Sequence, residues 1–387
     1  MIKSKALERH FEWKGKIEIK SKVSVSTKDE LALAYTPGVA DACMAIFEDK
    51  DLSFSLTGRS NFVAVITDGT AILGLGDIGP EAGMPVMEGK CALFKEYGGV
   101  DAFPLCINSK DSAEIVRTIK LLEGSFGGIN LEDISAPRCF EIEERLKEEL
   151  NIPVFHDDQH GTAIVMGAAL LNSIKLANKK IEDIKVVING AGAAGIAISK
   201  YLLDLGVKNL VVCDKAGILC DNDEFTIPQR ELAKIINPNN NKVLLKDALV
   251  NSDVFIGVSR GNLVTKEMVK TMNKLPILFP CANPVPEISY EDAIDAGAFI
   301  VGTGSSKNPN QINNVLVFPG MFRGALDVRS KTINKEMMIA ATHAIMESVG
   351  GELSPTHILP YAWDKNVHNL IAKKVKEAAI KTKVNRI

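Results

Sequence analysis

The chain has 387 residues, 46% of them hydrophobic and 24% charged, with a formal net charge of −3. That length carries two domains and a large buried core, and the near-neutral balance gives no electrostatic reason to expect nucleic acid or an anionic membrane as partner. The longest apolar stretch, residues 163–171, is too short to span a bilayer. The N-terminus stays charged through Lys22 and lacks the apolar core of a signal peptide, which fits a cytoplasmic protein. The seven cysteines form no C-x-x-C pair, and several sit in apolar runs, as Cys213 does. Buried free thiols in a reducing compartment are the expectation.

In chain order, Thr27-Lys28-Asp29-Glu30 predicts a capping box opening a short helix. That helix should end in the turn Tyr35-Thr36-Pro37-Gly38. Residues 62–67 read as a strand, being short, apolar and β-branched. Residues 102–107 read as another, which Pro104 confines to a sheet edge. Helical spacing covers 113–122 and 139–150. Up to about residue 160 the mixture of short strands and helices is that of an α+β domain. Beyond Gly161 the pattern changes. A long apolar helix is predicted over 162–176, a strand over 184–188, a helix over 193–205 and a strand over 209–213. Further strands are expected at 254–258, 277–280 and 298–301, and a lysine-rich amphipathic helix at 366–384. Strands alternating with helices predict a parallel sheet covered on both faces. The expected architecture is α/β, with a smaller mixed α/β domain over 1–160 and a doubly wound parallel-sheet domain over 161–387.

Two acidic pairs stand out. Glu132-Asp133 follows the apolar run Ile129-Asn130-Leu131, and Asp157-Asp158 lies in Phe155-His156-Asp157-Asp158-Gln159-His160-Gly161. Carboxylates grouped at strand ends suit a hard divalent cation such as Mg²⁺ or Mn²⁺. His156 and His160 have the spacing of a zinc protease pair, but Pro153 before and Gly161 after predict a strand-to-helix turn rather than one helical face.

Gly190-Ala191-Gly192-Ala193-Ala194-Gly195 follows a β-branched strand and opens a helix. Gly190 would permit the tight turn, Gly192 the approach of a pyrophosphate, and Gly195 close packing of helix on strand. The helix start at Ala193 and Ala194 would offer its N–H groups to phosphate. Asp214, at the end of the next strand, is the acid expected on the adenosine ribose. This is the fingerprint of a Rossmann-type dinucleotide domain. A second match, Gly74-x-Gly76-x-x-Gly79, is followed by Pro80, Gly83 and Pro85, which predict no helix; it reads as a turn near the substrate. Lys90 and Tyr35 carry no motif of their own: Lys90 is either solvated or a base with a tuned pKa, and Tyr35 is either a packed turn aromatic or functional.

Taken together, Tyr35-Thr36-Pro37-Gly38-Val39-Ala40, Gly89-Lys90, Asn130-Leu131-Glu132-Asp133, residues 156–162, Cys281-Ala282-Asn283-Pro284 and Gln311-Ile312-Asn313-Asn314 resemble the malic enzymes, in the short prokaryotic form, over nearly the whole chain. The resemblance implies oxidative decarboxylation of L-malate to pyruvate and CO₂ by a cytoplasmic homodimer. Lys90 would be the base at the C2 hydroxyl and Tyr35 the acid that protonates C3, with Tyr35 reaching a neighbouring subunit's cleft. Glu132, Asp133 and Asp158 would hold Mg²⁺ or Mn²⁺ as Lewis acid, with Asp157 supporting them. Asn283 and Asn313 would bind substrate, Asn283 also lying near the nicotinamide. Larger relatives carry an arginine where this chain has Ala71; Arg59 is a candidate replacement. Asp214 favours NAD, while its neighbour Lys215 would tolerate NADP. The rival functions are a metal-independent amino-acid dehydrogenase, a non-catalytic NAD-binding protein and a metal-dependent oxaloacetate decarboxylase without net redox.

Overall fold

The computed structural model describes residues 4–387; residues 1–3, the start of the charged N-terminal run, lie outside it. Two parallel sheets organise the molecule. The first contains β1 (Phe62–Thr67), β2 (Asp101–Cys106), β3 (Gly128–Leu131) and β4 (Val154–His156), in the spatial order β2-β1-β3-β4. Every pair in it is parallel. Pro104 does lie on an edge strand, β2. Helices run between the strands, so this part is α/β in pattern rather than the α+β expected.

The reason the pattern was hidden is the helix Pro80–Gly98, which joins β1 to β2 where the run of Pro80, Gly83 and Pro85 predicted none. Pro80 occupies the first turn, where a missing N–H costs nothing. The buried positions are Gly83, Met87, Lys90, Cys91, Phe94 and Gly98. That is a helical stripe, disguised because two of its members are glycine and one is a lysine.

The second sheet contains β5 (Lys185–Asn189), β6 (Asn209–Asp214), β7 (Gly217–Ile218), β8 (Val254–Gly257), β9 (Ile277–Pro280) and β10 (Ile300–Val301), in the order β10-β9-β8-β5-β6-β7. All its pairings are parallel except β6 with β7. The chain winds outward from β5 in one direction through β6 and in the other through β8. The crevice at that switch point, beyond the carboxyl ends of the strands, is where ligands of such sheets bind.

One large hydrophobic cluster joins the second sheet, the buried helix Thr162–Leu176 and the C-terminal helices to one face of the first sheet. Val63 and Val65 of β1 face it, whereas Ala64 and Ile66 face a smaller cluster with Ile115, Ile119, Ile142 and Leu146. That alternation is the period of a strand buried on both sides. Phe94 meets Phe318 at 4.7 Å and Phe322 at 5.3 Å between ring centroids. Each such aromatic contact adds about 0.5–1.5 kcal/mol beyond its buried area. The helices Phe318–Asp327 and Lys365–Lys381 thereby brace the helix that carries Lys90.

The N-terminal segment contrasts with this. Its helices Lys5–Trp13, Lys28–Ala34 and Val39–Glu48 bury no residue. The capping box at Thr27 and Glu30 is present. Leu33, Tyr35 and Phe47 are exposed, at 78%, 66% and 79%. All seven cysteines are free, but they are not uniformly buried: Cys43 sits on this exposed segment, and Cys106 and Cys281 are half-buried. Among the described residues, no helix is long and apolar enough to cross a membrane.

Candidate active site

β3 ends at Leu131 and β4 at His156, and these two residues are register partners. The pairs Glu132-Asp133 and Asp157-Asp158 therefore leave the same edge of the sheet side by side. Glu132, Asp133 and Asp158 each bring a carboxylate oxygen to within 4.8 Å of the other two. Asp133 adopts a left-handed conformation, φ 54°, and its N–H donates to Asp158 Oδ2 at 2.7 Å. Asn130 Nδ2 steadies Glu132 by donating to Oε2 at 3.1 Å. Asp157 to Gly161 form a single wide π turn, a form common at functional sites. His160 Nε2 turns away to Glu143 Oε1 at 2.8 Å, so the two histidines do not converge as a zinc pair.

Lys90 enters this group from the helix Pro80–Gly98. Its Nζ lies 3.0 Å from Glu132 Oε1 and donates to Asp157 Oδ2. It also donates to Asn314 Oδ1 at 3.4 Å and sits 4.4 Å from the centroid of the Phe318 ring. Burial alone would lower the Lys90 pKa, but the charges of Asp157, Glu132 and Asp158 outweigh it and hold the ammonium well above the usual lysine range. Burial lifts the acids, and Lys90 only partly offsets this: Glu132 is pushed well above the carboxylate range, and Asp157 up to about 6. Burial and then the neighbouring Asp158 push Asp133 up to about 8.

One lysine does not compensate four clustered carboxylates. Asp133 Oδ2 and Asp157 Oδ1 are buried without a partner, and orphaned buried acceptors of this kind are costly. The donor set is all oxygen and in excess of positive charge. It fits a hard divalent cation, which Glu132, Asp133 and Asp158 could hold.

The second component is a cleft of about 640 Å³ at the switch point of the second sheet. Asn189, Gly190, Gly192, Asp214, Gln229 and Ser259 line it from the second sheet, and Ala136 and Pro137 from the loop just after Asp133. Gly190 has φ 112°, and a side chain there would meet Val258 O at 2.6 Å. A Cβ at Gly195 would come within 1.8 Å of Gly190 O, whereas one at Gly192 would meet nothing within 4 Å. The turn is thus tight at its first glycine, packed at its third and open at its second, where a pyrophosphate fits. Ala193 and Ala194 begin the helix Ala193–Asp204. This helix packs on the π turn that carries Asp158, which brings cleft and carboxylates together.

Several predicted residues take less simple places. Among the described residues, no hydrogen bond or ion pair joins the Tyr35 side chain to Lys90 or the acids; the ring projects from the exposed segment. Asn313 caps the turn after it, accepting from Val315 N at 3.0 Å. Its neighbour Asn314, not singled out from sequence, is the one that reaches Lys90. Asn283 precedes a cis proline. A Cβ at Gly74 would approach Asn283 O to 2.7 Å, so the second glycine turn does lie against this asparagine. Arg59 is engaged by its own surroundings: it donates to Phe126 O at 3.2 Å, Ser53 Oγ at 2.9 Å and Glu123 O at 3.3 Å, and stacks on Phe54.

Two further polar residues escaped sequence reasoning. Glu287 is buried and accepts from Ser259 N at 2.9 Å and Ala282 N at 3.1 Å, tying the loop after β8 to the loop that bears Asn283. Gln229 bridges the glycine turn and Asp214. The only sequence signal for Gln229 is Thr226-x-x-Gln229, a capping box at the start of the helix Ile227–Ile236.

Comparison with known proteins agrees with this architecture. The family model described as "Malic enzyme, N-terminal domain" matches residues 14–147, and "Malic enzyme, NAD binding domain" matches 159–380. The "Bifunctional malic/malolactic enzyme" of Bacillus subtilis is 55% identical over 389 aligned positions, covering 100% of this chain and 95% of that one. The "NAD-dependent malic enzyme" of Geobacillus stearothermophilus is 54% identical, over 96% of this chain and 78% of its own. The crystal structure of an NAD-dependent malic enzyme from Thermotoga maritima superposes with a TM-score of 0.93 at 51% identity, covering 97% of this chain and 99% of that chain. With both halves matched in order and the whole length shared, the chain belongs to the malic enzyme family.

Proposed function

We propose that the protein oxidatively decarboxylates L-malate to pyruvate and CO₂ with reduction of NAD, in a divalent-metal-dependent reaction. The observation that carries this is the convergence of Lys90 with four carboxylates beside a dinucleotide cleft. Residues 1–160 supply the carboxylates, Lys90 and one wall of the nucleotide cleft, and residues 161–387 the rest of the cleft and the bracing helices.

Glu132, Asp133 and Asp158 would hold Mg²⁺ or Mn²⁺, which would supply Lewis-acid chemistry at the substrate's oxygens, and NAD would supply the hydride acceptor. Lys90 takes the C2 hydroxyl proton as the C2–H bond gives up its hydride. It can do so only when the acids that hold its own proton are compensated. Asp157 aims the amine, and Asn314 limits its rotation. The C3–C4 bond then breaks with loss of CO₂, and Tyr35 delivers a proton to C3, leaving pyruvate. Asn283 and Asn313 orient the substrate. Asp214 accepts from the adenosine ribose hydroxyls and disfavours a 2′-phosphate, making NAD the preferred cofactor and NADP a poorer one.

A homodimer completes the site. An exposed apolar segment of this extent marks an interface, and a second copy docked on it would carry Tyr35 into the neighbouring cleft. The seven free thiols support a reducing, cytoplasmic setting. The deciding assay follows NADH and NADPH formation from L-malate with and without Mn²⁺, and identifies the product as pyruvate or lactate. Metal-independent turnover, or no reduced cofactor, overturns the proposal. Mixing Tyr35→Phe with Lys90→Ala protein tests the dimer: restored activity is expected if Tyr35 acts across subunits, and none if it acts within its own chain.

A further inference from the structure

Asp214 does not stand alone at the end of β6. Gln229 sits across from it, buried, on the first turn of the helix Ile227–Ile236. All the hydrogen-bonding capacity of its amide that faces inward is engaged. The amide oxygen accepts from Thr226 N at 2.9 Å. The amide nitrogen donates one hydrogen to Ala191 O at 3.0 Å and the other to Asp214 Oδ2 at 2.9 Å. The opposite orientation of the amide would set its oxygen against a carbonyl and a carboxylate, so the three partners fix it in one sense.

Asp214 is thereby held at both oxygens, Oδ1 accepting from Lys215 N at 2.8 Å. Each carboxylate oxygen carries two lone pairs, so one on each stays free for a vicinal diol. The same amide nitrogen ties this carboxylate to the backbone of the glycine turn. The distance between the group that reads the ribose and the turn that holds the pyrophosphate is therefore set by one side chain. The surroundings make the fixing consequential. Lys215, Lys246 and Arg260 line the same cleft. If the carboxylate rotated away, those cations would be free to receive a 2′-phosphate.

We infer that Gln229 is a positioning residue for cofactor selection: it clamps Asp214 toward the adenosine ribose and so maintains discrimination between a nucleotide with a free 2′-hydroxyl and one with a 2′-phosphate. This rests on the assignment of the cleft to NAD and of Asp214 to its ribose.

Calorimetric binding of NAD⁺ and NADP⁺ to the full-length protein tests it, with no need for turnover. The variants are Gln229→Met, Gln229→Glu, Asp214→Ser and Gln229→Met combined with Asp214→Ser. Glutamate retains the acceptor for Thr226 N and hence the helix cap while removing the donors and setting a like charge beside Asp214, and the melting temperature of each variant shows that it folds. Either single change at Gln229 should weaken NAD⁺ about tenfold, the worth of a hydrogen bond to a charged group, and the neutral Gln229→Met should leave NADP⁺ binding unchanged or make it tighter. In the Asp214→Ser background Gln229→Met should cost less than about twofold, because the partner of the clamp is gone. Equal losses in both backgrounds would mean that Gln229 acts through Ala191 or the cap alone, and would overturn the clamp. So would an unaltered NAD⁺/NADP⁺ ratio in the Gln229 variants while Asp214→Ser narrows it. If Asp214→Ser itself leaves the ratio unchanged, the ribose assignment fails, and the clamp with it.

Discussion

The two sheets end in sites of opposite electrostatic character. At the edge of the first sheet, buried carboxylates crowd around one lysine, and two of their oxygens have no partner. At the switch point of the second, two separate hydrogen-bonded pairs form a frame: Gln229 holds Asp214, and Glu287 holds Ser259 together with Ala282 N. One site carries unpaired acceptors that suit a cation, whereas the other has its acceptors already engaged. A preformed frame gains affinity by avoiding the cost of ordering on binding. A buried acidic cluster stores unfavourable charge that a proton or a bound cation relieves.

The sharpest way to break this contrast is at Lys90, the sole positive charge in the acidic group among the described residues. Lys90→Ala should lower kcat for malate oxidation by about 10²–10⁴-fold, the usual worth of a positioned base, while calorimetry shows NAD⁺ binding unchanged. Near-normal turnover would remove Lys90 from the chemistry. Lost NAD⁺ binding would show that the two sites are one cooperative unit.

Much of that acidic site was legible beforehand. Short β-branched runs ending in paired acids announce parallel strands that deliver charge to one edge, and Glu132, Asp133 and Asp158 indeed meet. The glycine turn was equally plain, because its requirements are local. What escaped notice depends on tertiary context. The helix Pro80–Gly98 reads as broken until Gly83 and Gly98 are seen to be points of close packing. Asn313 and Asn314 are adjacent, and only the backbone path decides which one faces Lys90. Glu287 and Gln229 are single polar residues, and nothing in a linear chain says that they will be buried between loops. Arg59 was a candidate on residue type alone, and no linear signal showed that its guanidinium would be engaged on three sides.

A second, smaller effect sharpens the comparison through pH. Asp133 is raised by burial and Asp158 from the ordinary carboxylate range to about 8. The folded metal-free protein therefore binds this proton more tightly than the unfolded chain does. Its stabilising contribution is full below about pH 4 and is lost as pH rises through about 8. A cation needs the ionised form, so metal binding displaces the proton, and affinity should rise with pH by up to about tenfold per unit over that window. The increase in melting temperature produced by saturating Mn²⁺ should accordingly be larger at pH 8 than at pH 6, with Asp157, raised to about 6, adding to the lower part of the range. An equal shift at both values would mean that the cluster is not the metal site. The nucleotide frame provides the control: the stabilisation given by NAD⁺ should not share this dependence.

The smallest expected effect lies in that frame, at Glu287. Its carboxylate accepts from Ser259 N, Ser259 Oγ and Ala282 N, using both oxygens. Glu287→Gln preserves shape but replaces one acceptor with a donor. In either amide orientation an N–H then faces a donor, at Ser259 or at Ala282. Leaving one buried backbone donor unpaired costs about 1–3 kcal/mol, which corresponds to a fall in melting temperature of several degrees in a protein of this size. Lys90 and the clustered carboxylates sit at the other sheet edge, so kcat at saturating NAD should change by no more than about twofold, with the loss appearing instead in stability and in the KM for NAD. A fall in kcat comparable to that of Lys90→Ala would show that the loop bearing Asn283 depends on Glu287 during turnover. The frame would then be part of the reacting centre rather than its preformed support.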